Sequence, residues 1–570
     1  MKSFFDNLFG EKPRPLNPSR QFEPYKIGDV IGGSYEIRKI IGKGGFGIVY
    51  LVYARDGKEM CALKTFHDEF LSDPKARDVF KKEALLWVNL GEHPHILTAR
   101  WVDVISGRLF VRMNYLAPDA GGRVSLSDHL AAADRPLETN SVLKWAIAFC
   151  LGMEHATANG IESHRDIKPA NILITQDGIL KISDFGLARA AESAWLAVGL
   201  KGGSQVWLKN SQNVGFSVME SDGALRCGTP GYMSPEVFLG KDAGIKSDIY
   251  SFGLVLWQMA AGCPVSPFMV KWPGGMNDFM RQIFTRQTSS QAPKVNIYID
   301  SIIQRCLEID PAARFCDFSE LRTALESIFE RKTGRNFETP KTPEKTADFW
   351  INKAGSLGAL GKHLEAITCL DKALSIEPHD AIAWVIKGNS LSKLGENARS
   401  HQCFSNALDL DPKMAKAWQG KGVCEATSGN FSNAIECFEK AMAIQPADAA
   451  MLFSKGVCYA VLSRHEEAIE CFNMVQAIDS RHDAAWRSKG FSLFILGRHD
   501  QALHCLNKSL SIDPLNADAW YKKAATEEAL GNFIEAVRSY RKFIEYSASQ
   551  NAEKVSHVRQ RIRQIESKTR

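Results

Sequence analysis

One spacing constrains this chain more than any other. Trp350, Trp384, Trp418, Leu452, Trp486 and Trp520 stand 34 residues apart, and four residues after them come Ala354, Gly388, Gly422, Gly456, Gly490 and Ala524. Ala366, Ala434, Ala468, Ala502 and Ala536 recur at the same period, with Ser400 in the remaining unit. Pro378, Pro412, Pro446 and Pro514 close four of the units, and Ser480 replaces the proline in one. Units this short stack on their neighbours to bury a continuous core. Residues 347–546 are expected to form six such repeats, and 547–570, rich in Arg, Lys and Glu, a solvating cap helix.

The cysteines follow the same rule. Cys369, Cys403, Cys437, Cys471 and Cys505 fall in the repeat register, five of thirteen in the chain. A residue at one repeat position fills one packing niche, where Cys acts as a small hydrophobe. Neighbours one repeat apart are too distant to bridge. Reduced thiols suit the cytosol.

At 570 residues the chain exceeds one hydrophobic core, and 45% hydrophobic with 24% charged residues is an ordinary globular balance. A net charge of +5 without a dense Lys/Arg tract argues against a nucleic-acid partner. No apolar run approaches the roughly 18–20 residues that span a bilayer, and Met1–Phe9 is too short and interrupted for a secretory signal. A cytoplasmic location is the expectation. Residues 1–33 read as a tail, in which Phe4, Phe5, Leu8 and Phe9 share one helical face, either a docking peptide or a mobile terminus. Residues 333–346, with Thr339-Pro340 and Thr342-Pro343, read as a stiffened linker.

Chemistry concentrates in two segments: His164-Arg165-Asp166-Ile167-Lys168-Pro169-Ala170-Asn171, and, thirteen residues on, Asp184-Phe185-Gly186. Together they supply a base, a cation and two oxygen ligands for Mg²⁺, the set that in-line phosphoryl transfer needs. One runs into the apolar strand Ile172–Ile174 and the other follows Leu180–Ile182, so both would sit at the ends of a strand pair facing one cleft. Gly42, Gly44, Gly45 and Gly47, with Phe46 at the tip, precede a strand containing Val49. A strand there, rather than a helix, favours a hairpin over nucleotide phosphates and not a dinucleotide-binding turn. Lys64 on the next strand would neutralise the α and β phosphates. Glu83, on a helical segment with an apolar flank, is its best partner; Asp68 and Glu69 are acidic alternatives that precede the helix.

These segments resemble the eukaryotic-type (Hanks-type) Ser/Thr protein kinases over residues 34–332, with Cys61-Ala62-Leu63-Lys64, Gly228-Thr229-Pro230 through Pro235-Glu236, Ser247-Asp248 through Gly253, and Arg314 in the expected order. The repeats resemble the tetratricopeptide repeat, whose small residues let paired helices approach while the aromatic fills the space between turns. The implied architecture is a two-lobed protein-kinase fold (α+β) followed by an all-α tetratricopeptide repeat solenoid. The resemblance implies that Asp166 accepts the substrate hydroxyl's proton, Lys168 contacts the transferring phosphoryl group, and Asn171 and Asp184 hold Mg²⁺ beside ATP. Lys168 and Thr229 resemble the Ser/Thr-specific class. Asp248 would anchor the catalytic loop, and Glu236 with Arg314 would form a buried ion pair.

Arg165 offers a cation to a phosphorylated activation segment. The long stretch between Asp184 and Glu236 contains Ser193, Ser204, Ser211, Ser217 and Ser221, the last two being the nearest upstream hydroxyls for autophosphorylation. In the repeats, Phe453, Val457, Val461, Phe491, Phe494 and Ile495, with Arg487 and Tyr521, are expected to line a groove for a protein or peptide ligand, or else to pack within the array. Gln419 and Phe453 stand where arrays that bind chaperone tails often place lysine, which disfavours such a partner. The expected activity is protein Ser/Thr phosphorylation; the rival reading is a nucleotide-binding pseudokinase-like scaffold acting through its repeats.

Overall fold

Alternating burial builds the first sheet. In β3 (Gly47–Ala54) residues take turns facing the core, and β3 pairs antiparallel with both β2 (Tyr35–Lys43) and β4 (Glu59–Phe66). With β1 (Val30–Ile31), β5 (Ala99–Ile105) and β6 (Arg108–Asn114) the order is β1-β2-β3-β4-β6-β5, so β5 is an edge. The computed structural model describes residues 25–43, 47–55, 57–66, 74–105, 107–133, 135–185, 217–221, 224–241, 244–271, 276–295, 298–446, 448–547 and 552–569. Of the expected tail, the described part begins at Tyr25. Tyr25 meets Tyr50 edge-on at 6.0 Å, and Ile31, 1% exposed, enters the small core of this sheet.

Helix α1 (Pro74–Leu90) covers the sheet through Phe80, Ala84, Trp87 and Val88, all buried. The helical lobe then takes α2 (Leu126–Ala131), α3 (Thr139–Ala158), β7 (Ile172–Ile174), β8 (Leu180–Ile182), β9 (Ser217–Ser221) and β10 (Ala224–Gly228). It continues with α4 (Pro235–Phe238), α5 (Ile245–Ala261), α6 (Met276–Ser289), α7 (Asp300–Cys306) and α8 (Phe318–Thr333). Phe149 of α3 stacks on Phe252 of α5 at 4.0 Å and meets Phe318 of α8 edge-on, a buried aromatic centre.

The long stretch between Asp184 and Glu236 holds the antiparallel pair β9–β10, with Ser217 opposite Gly228 and Ser221 opposite Ala224. Asp222-Gly223 between them is a hairpin signal. Ser193, Ser204 and Ser211 lie outside the described residues, as do Phe4, Phe5, Leu8 and Phe9.

Chain contacts divide the protein into Met1–Ile376 and Glu377–Arg570. The first repeat, α9 (Ala347–Ala359) and α10 (His363–Ile376), therefore groups with the catalytic unit. The second unit holds the pairs α11 (Ala381–Lys393) and α12 (Asn397–Leu410), α13 (Ala415–Thr427) and α14 (Phe431–Ile444), and α15 (Ala449–Val461) and α16 (His465–Ile478). It ends with α17 (Asp483–Ile495) and α18 (His499–Ile512), α19 (Ala517–Ala529) and α20 (Phe533–Tyr546), and the cap α21 (Ala552–Thr569).

The small residue after each tryptophan has a steric cause. A Cβ on Gly388, Gly422 or Gly456 would stand 2.8–2.9 Å from Phe404, Phe438 or Phe472 of the paired helix. Those phenylalanines, at most 1% exposed, fill the space between helices. The tryptophans are only half-buried, which corrects the expected role of the periodic aromatic. Each indole N–H of Trp384, Trp418, Trp486 and Trp520 instead donates to the carbonyl six residues earlier, at 2.8–3.1 Å, pinning the helix to its preceding loop. The five in-register cysteines form no disulfide and are buried.

Among the expected groove residues, Phe453 and Val457 are buried, and Phe453 packs on Phe472 and His482 within the array. Phe491 and Ile495, one turn apart on α17, are exposed. Val461 and Phe494 are half-buried. Arg487 pairs with Asp518 at 2.8 Å, and Tyr521 rests on Phe543.

Candidate active site

The loop between α3 and β7 is held from below by one carboxylate. Asp248, on α5, accepts the backbone N–H of His164 at 2.6 Å and of Arg165 at 3.0 Å. Burial pushes the Asp248 carboxyl up, against the pull of His164 and these two amides. The His164 ring donates through Nε2 to the Ser183 carbonyl at 2.8 Å and packs on Phe185, which is fully buried. Ser183 returns both its N–H and its hydroxyl to the Asn171 carbonyl, at 2.9 and 3.0 Å. The two sequence segments are thus bolted together. Arg165 (φ +66°) and Asp184 (φ +64°) both adopt the left-handed backbone region. Such strain persists where the surroundings over-determine it and gathers at functional sites.

Asp166 lies at the centre. Lys168 Nζ is 2.7 Å from its Oδ2, Thr229 Oγ1 donates to its Oδ1 at 2.9 Å, and Asn171 Nδ2 donates to its Oδ2 at 3.0 Å. Lys168 Nζ also donates to Thr229 Oγ1 at 3.0 Å, closing a triangle. Burial alone would raise the Asp166 carboxyl, but the Lys168 ammonium and the Lys168 and Thr229 hydrogen bonds outweigh it and hold it below the ordinary carboxylate range. Asp166 is therefore ionised at neutral pH, the state a proton acceptor requires.

Across the cleft Lys64, only 5% exposed on β4, bonds Asp184 Oδ1 at 2.8 Å. Glu83 is buried on α1. Of the glycine-rich segment, Gly42 ends β2, and Gly47 and Val49 open β3 in hairpin register, with Lys43 opposite Ile48. That is the strand-turn-strand form expected. Gly44, Gly45 and Phe46 lie outside the described residues. Gly47 has a packing reason for lacking a side chain, because a Cβ there would stand 1.9 Å from the Thr65 carbonyl oxygen. Glu236 and Arg314 form a bidentate pair at 2.7 and 2.9 Å, with Arg314 over the Tyr250 ring, away from the chemistry.

Between the lobes lies a cleft of about 460 Å³. Gly42, Val49 and Ala62 line it along with Met113, Leu173 and Asp184. Ala62, Met113 and Leu173 supply apolar walls of the kind that take a flat ring, and sequence reasoning gave them no site role. For Leu173 a signal existed: in β7 its neighbours Ile172 and Ile174 are buried, so the middle residue faces the other way. Asp184 and Asn171 fit a hard cation, since both carry oxygen and Asn171 spends its Nδ2 on Asp166, turning its amide oxygen elsewhere.

The family model described as protein kinase domain matches residues 35–327. Tetratricopeptide repeat models match 347–380, 387–449 and 505–538. A model described as anaphase-promoting complex, cyclosome, subunit 3 matches 427–509. A probable serine/threonine-protein kinase of Clostridium perfringens is 28% identical over 53% of this chain and 39% of its own length. The serine/threonine-protein kinase PknD of Chlamydia pneumoniae is 28% identical over 56% of this chain and 34% of its own. The chain thus spans about two fifths of the length of the curated relatives it matches. A crystal structure of the Mycobacterium tuberculosis PknI kinase domain, 23% identical, covers 54% of this chain and 100% of that one with a TM-score of 0.39.

Proposed function

Because the chain belongs to the protein kinase domain family, whose model spans more than half of it, we propose that it transfers the γ-phosphoryl group of ATP to serine or threonine hydroxyls of proteins. The observation that carries this reading is the triangle of Asp166, Lys168 and Thr229, in which an ionised carboxylate and an ammonium share one hydroxyl. Asp166 orients the substrate hydroxyl and takes its proton. Lys168 steadies the charge on the group in flight, and Lys64 holds the nucleotide's phosphates from the opposite wall. Glu83 is the carboxylate that we assign to keep Lys64 in place. Val49, Ala62 and Leu173 would clasp the base, with the glycine-rich hairpin of Gly42, Gly44, Gly45, Phe46 and Gly47 above the phosphates. Mg²⁺, held by Asn171 and Asp184, would supply charge neutralisation at the β and γ phosphates.

The repeats serve as a recruiting or regulatory surface for a protein or peptide. Among the described residues no helix is long and apolar enough to cross a membrane, and a cytoplasmic site of action is part of the proposal. Incubation of the full chain with radiolabelled ATP, Mg²⁺ and a protein substrate, beside Asp166→Asn, tests the reading. A loss of about 10²–10⁴-fold in rate is expected on removing the base. Equal incorporation by both proteins would overturn it in favour of a nucleotide-binding scaffold.

A further inference from the structure

Helix α9 occupies an unusual place for the start of a repeat array. Ala347, Ile351, Ala354, Ser356 and Leu357 are buried on it. Ser356 Oγ accepts the Val102 backbone N–H at 2.9 Å, on the edge strand β5. The Phe349 ring covers Gly91, the left-handed residue (φ +67°) that ends α1, so closely that a Cβ there would lie 3.1 Å away. Leu360, at the end of α9, packs against the main catalytic core.

The repeat register explains what is being replaced. The positions equivalent to Ser356 are Ser390, Cys424, Cys458, Ser492 and Thr526, and all are at most 3% exposed. In the second unit Cys424 Sγ lies 3.2 Å from Ser400 Oγ, on the second helix of the preceding repeat. This position therefore looks toward the repeat before. The first repeat has none, and β5 with the end of α1 stands there instead. A solenoid needs its terminal units capped; here the cap is the nucleotide-binding lobe itself.

We propose that this contact works in both directions: the β5–α1 face caps the repeats, and α9 positions α1 for phosphotransfer. The end of α1 is gripped from two sides, by Phe349 on Gly91 and by His155, whose Nε2 donates to the Leu90 carbonyl at 2.8 Å. Glu83 lies two turns upstream on the same helix. Phe349 and Ser356 are positioning residues; they touch neither nucleotide nor substrate. The catalytic half of this inference rests on the phosphotransfer reading above.

The test uses the full chain with Phe349→Ala, Ser356→Ala and the conservative Phe349→Leu. Hydrogen exchange over 77–90 and 99–105 is measured alongside kcat and the KM for ATP. Exchange in both segments should quicken about tenfold in the two alanine variants, as local opening becomes easier. kcat should fall about tenfold or more through misplacement alone, and Phe349→Leu should restore most of both. Unchanged exchange, or faster exchange with wild-type kcat, would overturn the positioning role. A wild-type chain with no transfer at all would sink the enzyme reading and with it the catalytic half, while exchange would still decide whether α9 holds α1.

Discussion

Thr229 donates to Asp166 Oδ1 at 2.9 Å with the same hydroxyl that accepts Lys168 Nζ at 3.0 Å. The residue that follows β10 is thereby tied to the base. Thr229→Ala removes a hydrogen bond to each of two charges, and such bonds contribute about 1.5–3 kcal/mol. A ten- to hundred-fold fall in kcat is the expected order. Thr229→Ser should keep most of the rate, and steady-state kinetics at saturating ATP will separate the two.

Gly47 and Gly42 should respond differently to the same change. A methyl on Gly47 meets the Thr65 carbonyl oxygen at 1.9 Å, whereas one on Gly42 reaches Val49 at an ordinary 3.6 Å. Gly47→Ala must part β3 from β4, at about 1–3 kcal/mol or more, and displaces Val49 on the cleft wall. Titration with a fluorescent ATP analogue should show weaker binding for Gly47→Ala and a much smaller change for Gly42→Ala.

Arg314→Met leaves the Glu236 carboxylate buried without its cation, with Ser247 still donating to it. Burial opposes that charge, and the hydrogen bonds and positive charge of the Arg314 guanidinium now hold its pKa below the ordinary range. Breaking a buried pair from one side costs about 3–5 kcal/mol. Urea unfolding followed by the tryptophans of the catalytic unit should show the midpoint drop.

His93 gives the unit a predictable acid weakness. Burial, with His155 stacked at 4.5 Å and His95 and Lys181 nearby, brings its pKa down to about 3. Between that value and the ordinary histidine range near 6.5 the unfolded chain binds a proton that the folded one refuses. Stability from His93 is therefore full above that window and is lost as pH falls through it. His93→Phe should flatten the decline of the urea midpoint between about pH 6.5 and 4, a window set by the same linkage.

The catalytic loop was legible because its residues are contiguous and chemically distinctive. Met113 was not, because β6 is buried along nearly its whole length and shows no alternation to mark which side faces the cleft. The strand pair β9–β10 carried a signal in Asp222-Gly223, but the length of the stretch between Asp184 and Glu236 hid it. The repeats were legible to the residue in their glycines, since helix separation is set by side-chain volume. Their tryptophans misled, because an indole can end a period by hydrogen bonding to a loop as well as by filling a core. Ser356 matches the small residues at its position in the other repeats, so nothing there announced a β-strand as its neighbour. Phe349, however, stands where the other repeats place Ala383, Ala417, Met451, Ala485 and Ala519, a departure that marked a different neighbour.

Edge strands invite company. An exposed row of backbone amides is a template for another chain's strand, and β5 is the long edge of its sheet, since β1 at the other side is only two residues. Ser356 takes one of those outward amides, and α9 lies along the strand. A fragment cut where the kinase match ends, at residue 327, would present that edge to solvent and to its own copies. The same hydroxyl that joins two folds thus also occupies one of the places where a second copy's strand would pair.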